Sequence, residues 1–114
     1  MRRSKRQRGD RNLEAYARRN RTLLELGFRS YQDYLRSDLW QAIRLRILGG
    51  WQRECRCGKT AFEVHHTSYS RAVLLGEDQS GLLPVCRECH QRAEYSGCRK
   101  RPLAKVNAIL RKYP

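Results

Sequence analysis

All three histidines of this chain lie close to paired cysteines. His65 and His66 are adjacent, and His90 directly follows a Cys-x-x-Cys pair. A neutral imidazole can ligate a divalent ion, and near neutral pH it can also accept a proton. Histidines grouped in this way indicate metal-assisted hydrolysis as the candidate chemistry.

Four of the five cysteines form two pairs around the double histidine: Cys55 with Cys57, and Cys86 with Cys89. Four thiolates leave no open coordination position, so the two pairs predict a closed, structural zinc site. The single residue between the first two cysteines requires a sharp backbone turn, which Gly58 would permit. Two alternatives stay open: the four cysteines are unligated core residues, or Cys98 replaces one arm of the first pair.

The histidines predict a second metal site, with His65 and His90 as ligands and most of the coordination sphere open to water and substrate. Adjacent side chains of a strand point to opposite faces, so His65 and His66 should have different roles. His66 would then take a proton from the attacking water. The alternative is that His90 joins the zinc site and that His65 or His66 is a buried imidazole with satisfied hydrogen bonds.

The composition indicates a polyanionic partner. Lys and Arg total 25 against 11 Asp and Glu, a formal net charge of +14, which is far more than solubility requires. Six of the first eleven residues are basic, and no apolar stretch follows them, so neither a signal peptide nor a membrane span is expected. In a reducing cytoplasm, five cysteines favour metal ligation over disulfides. We therefore expect a cytoplasmic protein that binds nucleic acid and no membrane.

Residues 1–9 are polar and basic and lack apolar periodicity, which predicts a disordered arm. Such an arm either neutralises the phosphates of a bound nucleic acid or only aids solubility. The arm residues predicted to contact nucleic acid are Arg2, Arg3, Lys5, Arg6 and Arg8.

Residues 10–50 predict a helical N-terminal extension of two helices. Apolar residues recur at helical spacing up to a stop at Gly27, and a second apolar stripe runs over residues 31–47. Ser30 and Asp33 resemble a capping box at the start of the second helix.

Residues 51–97 predict a small core with strands at 61–65 and 82–85, joined by a loop and followed by a helix that carries His90. Residues 98–114 predict a C-terminal helix that begins near Pro102. A core of this size is marginal on apolar burial alone, so a structural zinc would decide whether it folds.

The string ECRCGKTAFEVHHTSYSRAVLLGEDQSGLLPVCRECHQRAE resembles the HNH nuclease family, also called His-Me finger or ββα-metal nucleases, in its zinc-containing form. The resemblance covers roughly residues 34–96. It implies an α+β fold: a small ββα-metal core stabilised by a four-cysteine zinc site, with flanking helices at both ends.

The resemblance also implies roles for the site residues. His65 and His90 would bind a catalytic Mg²⁺ or another divalent ion such as Mn²⁺, Ni²⁺ or Zn²⁺, and His66 would be the general base. The implied activity is endonucleolytic cleavage of DNA to 5′-phosphate and 3′-hydroxyl ends, with RNA left open as a substrate. Arg44 and Arg87 are further candidates for phosphate contacts.

One position departs from the family pattern. Gly81 stands where the family commonly has Asn or Asp, a side chain that holds the loop or touches the metal. Asp78 or Glu77 could substitute for it, and Asp78 is the one expected to do so. The departure favours an alternative function, a catalytically weak or inactive zinc-ribbon module that binds nucleic acid within a larger assembly. A structural zinc protein that contacts other proteins is a third alternative, but it leaves the charge and the adjacent histidines without a role.

Overall fold

A computed structural model of the chain describes residues 5–49 and 53–112, with side chains described from Glu14 onward. Within these residues the chain forms six α-helices and four short strands. In chain order they are α1 (Lys5–Glu25), α2 (Tyr31–Arg36), α3 (Asp38–Leu48), β1 (Glu63–His66), α4 (Arg71–Leu74), β2 (Leu82–Val85), α5 (Arg87–Glu94), β3 (Tyr95–Ser96), β4 (Arg99–Lys100) and α6 (Leu103–Lys112). The predicted α+β class is confirmed.

Strands β1 and β2 pair antiparallel, with Glu63 opposite Val85 and His66 opposite Leu82. Both strands lie close to the positions that the sequence predicts. Helix α5 begins directly after β2 and packs on β1, while α6 packs on α5. Helix α3, which comes before the strands in the chain, packs on both of them. A second antiparallel pair, β3 with β4, extends from the end of α5.

The second predicted helix is two helices, and Ser37 separates them. The backbone N–H and the hydroxyl of Ser37 both donate to the carbonyl of Tyr34, which closes α2. The same hydroxyl oxygen accepts from the N–H of Trp40, which caps α3. The change in direction lets Tyr34 and Trp40 both enter the core, at 0% and 5% exposure. A single straight helix over 31–47 was therefore wrong, although Ser30 does cap α2 by accepting from Asp33 N–H.

The N-terminal region also differs from the prediction. Helix α1 begins at Lys5, so residues 5–9, predicted as part of a disordered arm, are helical. Arg2 and Arg3 lie outside the described residues, as do the side chains of Lys5, Arg6 and Arg8. The helix ends where expected, because Gly27 takes a positive φ of 96° and closes the last turn. No helix among the described residues has the length and apolar character needed to cross a bilayer.

The loop predicted between the strands contains α4 and a 3₁₀ turn over Gln79–Gly81. Gly81 is buried against Val73 of α4, and a Cβ atom built on Gly81 would lie 2.4 Å from Cγ2 of Val73. Asp78 is exposed and caps the 3₁₀ turn through the N–H and hydroxyl of Ser80. Asp78 therefore holds the turn itself, and close packing explains the glycine.

We expect Gly81→Ala to destabilise the protein by about 1–3 kcal/mol, because the added methyl group overpacks a tight contact. The double variant Gly81→Ala, Val73→Ala should lose less free energy of unfolding than the two single variants lose in sum. The reason is that Val73→Ala removes the two methyl groups that the added Cβ would meet first. Urea unfolding of the parent, both single variants and the double variant measures this coupling. Strict additivity of the two single effects would contradict the packing explanation.

Candidate metal centres and the adjoining cleft

The four paired cysteines come together in one cluster. Their sulfur atoms all lie within 4.8 Å of one another, and the Sγ atoms of Cys57 and Cys86 are 3.7 Å apart. A tetrahedral site with Zn–S bonds of about 2.3 Å requires sulfur atoms about 3.8 Å apart. The cluster can therefore hold a metal such as zinc. Cys98 is exposed and outside the cluster, so the alternative in which it supplies an arm was wrong.

Two local turns present these sulfur atoms. After Cys55 the chain turns back at Gly58, whose φ is 93°, and the Cys55 N–H donates to the carbonyl of Lys59. On the other side, Cys86 caps α5 and its sulfur accepts from the N–H of Cys89. Burial raises the pKa of Cys89, so a metal must displace the proton of that thiol to bind, and acid should release the metal.

A second cluster contains both predicted histidine ligands and one carboxylate. His65 of β1 and His90 of α5 bring Nδ1 and Nε2 to within 3.3 Å of each other. Glu94, one turn after His90 on α5, has its Oε1 3.0 Å from His90 Nε2. These three residues can offer one ligand atom each to the same ion. Sequence reasoning missed Glu94, although its i, i+4 spacing from His90 was a usable signal.

Hydrogen bonds on the outer nitrogens orient both imidazoles. His90 Nδ1–H donates to Glu63 Oε1 at 2.9 Å, and His65 Nε2–H donates to Asn107 Oδ1 at 2.7 Å. These bonds leave His65 Nδ1 and His90 Nε2 turned toward the cluster, the arrangement typical of metal-ligating histidines.

Burial and hydrogen bonding shift the pKa values of the two imidazoles in opposite directions. Burial lowers the pKa of His65. Burial also opposes the charge on His90, but its hydrogen bonds to Glu94 and Glu63 outweigh burial and raise the pKa of His90. The proton between His90 and Glu94 occupies the position for which a divalent ion would compete.

His66 faces the other side of β1, as the alternation of strand side chains predicts. It is 3% exposed and lies among aromatic rings, with its centroid 4.5 Å from that of Trp40 and 5.5 Å from that of Tyr69. Tyr34 donates its hydroxyl proton to the Leu74 carbonyl, so its oxygen accepts from His66 Nε2–H. Tyr31 O–H then donates to His66 Nδ1 at 3.1 Å.

Both ring nitrogens of His66 are therefore occupied. Burial, with repulsion from His65 and Arg19, lowers the pKa of His66 to about 3. The imidazole is neutral, and the lone pair that a general base needs already accepts from Tyr31. This environment matches the alternative of a buried imidazole with satisfied hydrogen bonds. The role of general base stays a prediction.

An open cleft of about 500 Å³ adjoins the histidine–carboxylate cluster. His90 and Glu94 line it, and so do three cationic residues: Arg44, Arg87 and Lys100. The two arginines are those that the sequence predicts as phosphate contacts. Lys100 was not predicted, because it reaches the cleft on the β3–β4 hairpin, for which no sequence signal was recognised.

Comparison with known proteins finds no family model, no curated protein and no solved structure that matches this chain. Membership of the HNH family stays a prediction from the residues that carry the resemblance. Function is therefore inferred from the two clusters and the cleft.

Replacing Cys86 or Cys89 with Ser should abolish zinc binding and unfold the core, because the free energy of zinc binding is folding free energy in so small a unit. Cys98→Ser is the matched control and should keep both the metal and the stability. Elemental analysis and thermal unfolding measure the two properties. A full complement of metal in folded Cys89→Ser protein would contradict the assignment.

The buried neutral His66 predicts a pH dependence of stability. In the unfolded chain the imidazole protonates near its ordinary pKa of about 6.5, whereas in the folded protein it stays neutral down to about 3. Between these values the unfolded state binds one more proton, so His66 lowers the free energy of unfolding by about 1.4 kcal/mol per pH unit as pH falls. This loss should be absent in His66→Phe.

Urea unfolding of parent and His66→Phe between about pH 5 and 6.5 isolates this effect. Every other titrating group, including the metal ligands, is common to the two proteins. Parallel pH dependences would mean that His66 is accessible to protons in the folded state.

Proposed function

We propose that this chain is a metal-dependent endonuclease that hydrolyses phosphodiester bonds in DNA to 5′-phosphate and 3′-hydroxyl ends. The observation that carries the proposal is the His65, His90 and Glu94 cluster at the edge of a cleft lined by three cationic side chains. The order of β1, β2 and α5 supports a ββα-metal arrangement of this site. The net charge of +14 supports a polyanionic substrate.

His65, His90 and Glu94 would hold one divalent ion and leave its other coordination positions open. Such an ion, when bound, polarises a phosphoryl oxygen and stabilises the charge on the leaving oxygen. Two imidazoles and one carboxylate suit Mn²⁺, Ni²⁺ or Zn²⁺ better than Mg²⁺, which prefers oxygen ligands. We therefore expect activity with Mn²⁺ or Ni²⁺ to exceed activity with Mg²⁺.

The cationic residues of the cleft would bind and orient the DNA backbone. Arg44 lies on α3, Arg87 at the start of α5 and Lys100 on β4, so phosphates would be held from three separate elements. Contacts of this kind fix the position of the duplex without reading its sequence. Binding should accordingly weaken steeply as salt is raised.

His66 is predicted to take the proton of the attacking water, and its environment sets the route. Tyr31 lines the cleft and donates its hydroxyl proton to His66 Nδ1. A proton from the cleft would therefore reach His66 only through the Tyr31 hydroxyl, or after that hydroxyl has moved away.

The alternative, an inactive zinc-containing module that binds nucleic acid, is favoured by one observation. Both nitrogens of His66 are engaged by tyrosine hydroxyls, which is the environment of a structural histidine. The two functions share the charge and the cysteine cluster, and they differ in whether a divalent ion causes cleavage.

Removing a residue that only orients a metal ligand typically costs about 10- to 100-fold in activity. Glu94 is itself a predicted ligand, so Glu94→Gln should lower the cleavage rate by at least this much. The matched control is Glu88→Gln on the same helix, whose exposed carboxylate pairs with Lys59. Conversion of supercoiled plasmid to nicked and linear forms, with Mg²⁺, Mn²⁺ or Ni²⁺ added, measures the rates.

Plasmid retardation on gels, measured with the same proteins, separates the two candidate functions. A parent protein that binds DNA and cuts it with none of these ions would establish the inactive module. Equal cleavage by both glutamine variants would instead mean that Glu94 is not part of the active site.

A further inference from the structure

Asn107 connects the C-terminal helix to the histidine–carboxylate cluster. Its Oδ1 accepts from His65 Nε2–H at 2.7 Å, and its Nδ2 donates to the Thr67 carbonyl at 2.8 Å. Thr67 N–H donates in turn to the Gly81 carbonyl. One amide therefore links α6 to the end of β1 and, through Thr67, to the 3₁₀ turn before β2.

The direction of the Asn107 amide is determined by its partners. A carbonyl oxygen can only accept, so the NH₂ group must face Thr67 and Oδ1 must face His65. Because Oδ1 can only accept, His65 must carry its proton on Nε2. This tautomer leaves the Nδ1 lone pair free, and Nδ1 is the atom that lies 3.3 Å from His90.

Packing of α6 keeps the amide in this position. Val106 and Leu110, which flank Asn107 at i−1 and i+3, are each 2% exposed in the core. Leu110 is three residues after Asn107 and four after Val106, spacings at which side chains are neighbours on a helix surface, so the buried side of α6 adjoins the position from which Asn107 reaches His65.

We propose that Asn107 is a positioning residue that selects the His65 tautomer able to bind a divalent ion, so that the C-terminal helix forms part of the metal site. The proposal rests on the metal site of the proposed function. His65 is 3% exposed, so water cannot readily replace the amide oxygen as acceptor. The same amide also holds the end of β1 through the Thr67 carbonyl.

Two substitutions separate the two hydrogen bonds of the amide. Asn107→Asp keeps an acceptor for His65 Nε2–H but loses the donor to Thr67, whereas Asn107→Leu keeps the size and loses both. Removing a partner that orients a ligand typically weakens metal binding about 10- to 100-fold. We expect that loss in Asn107→Leu and a clearly smaller one in Asn107→Asp, because the carboxylate still accepts from His65 Nε2–H.

Calorimetric titration with Mn²⁺ measures the affinities, in protein whose cysteine site has been loaded with zinc. Asn20→Leu, an exposed position on α1, is the control and should bind Mn²⁺ as the parent does. Equal weakening in Asn107→Asp and Asn107→Leu would assign the amide to the Thr67 loop and overturn the proposal. Unchanged binding in both would overturn it as well.

Nitrogen-15 NMR of the imidazole rings gives a second test without added divalent ion. The parent and Asn107→Asp should show His65 protonated on Nε2, and Asn107→Leu should show a mixture of tautomers. The same tautomer in all three proteins would contradict the selection by Asn107. The NMR measurement requires only that the proteins are folded.

The outcomes distinguish this proposal from the nuclease function. If the parent binds Mn²⁺ and the variants show the expected affinities, but the parent cuts no DNA, only the nuclease function is contradicted. If the parent cuts DNA but the two Asn107 variants bind Mn²⁺ with equal affinity, only the positioning role is contradicted. A parent that fails to bind Mn²⁺ would overturn both.

Discussion

The register of the β1–β2 hairpin is the constraint on which both candidate centres depend. Four residue pairs, from Glu63 opposite Val85 to His66 opposite Leu82, direct His65 toward α5 and His66 toward the aromatic residues of α2 and α3. A slip of one residue would exchange the two faces. The same pairing brings Cys86, directly after β2, beside the turn that carries Cys57. The pairing of these two short strands thus aligns both the four-cysteine cluster and the histidine–carboxylate cluster.

The two faces of β1 meet different groups. On the α5 side, carboxylates of Glu63 and Glu94 hold the pKa of His90 above its ordinary value. On the other side, burial lowers the pKa of His66 to about 3, and tyrosine hydroxyls satisfy both of its nitrogens. Carboxylates beside imidazole favour a bound cation, whereas an apolar aromatic environment excludes charge. Burial lowers the pKa of both His65 and His66, so these adjacent histidines differ in their neighbours: His65 lies beside His90 and Glu94, and His66 lies among aromatic rings.

Much of this arrangement could be predicted from the sequence, because its signals are local. The strands, the cysteine pairs and the opposite facing of His65 and His66 follow from spacing and alternation. The break at Ser37 was missed because an apolar stripe continues across it, and only the double capping by one hydroxyl reveals two helices. Gly81 was interpreted as a lost side chain, but its contact with Val73 depends on the fold.

Residues that reach the site from distant elements could not be predicted. Asn107 lies 42 positions after His65 in the chain, and nothing local to α6 indicates a role in metal binding. Lys100 is similar, since the short β3–β4 hairpin that carries it pairs only two residues of each strand. Glu94 is an intermediate case: its helical spacing from His90 was visible, but the predicted ligand set included only histidines.

The presence of a second, separate metal site is tested most directly by anomalous diffraction from crystals grown with zinc and soaked in Mn²⁺. Data collected at the manganese and zinc absorption edges distinguish the two ions. We predict a zinc peak among the four cysteine sulfur atoms and a manganese peak bound by His65 Nδ1, His90 Nε2 and the Glu94 carboxylate. A manganese peak elsewhere, or none while the His90–Glu94 hydrogen bond persists, would contradict the assignment of a catalytic metal to this cluster.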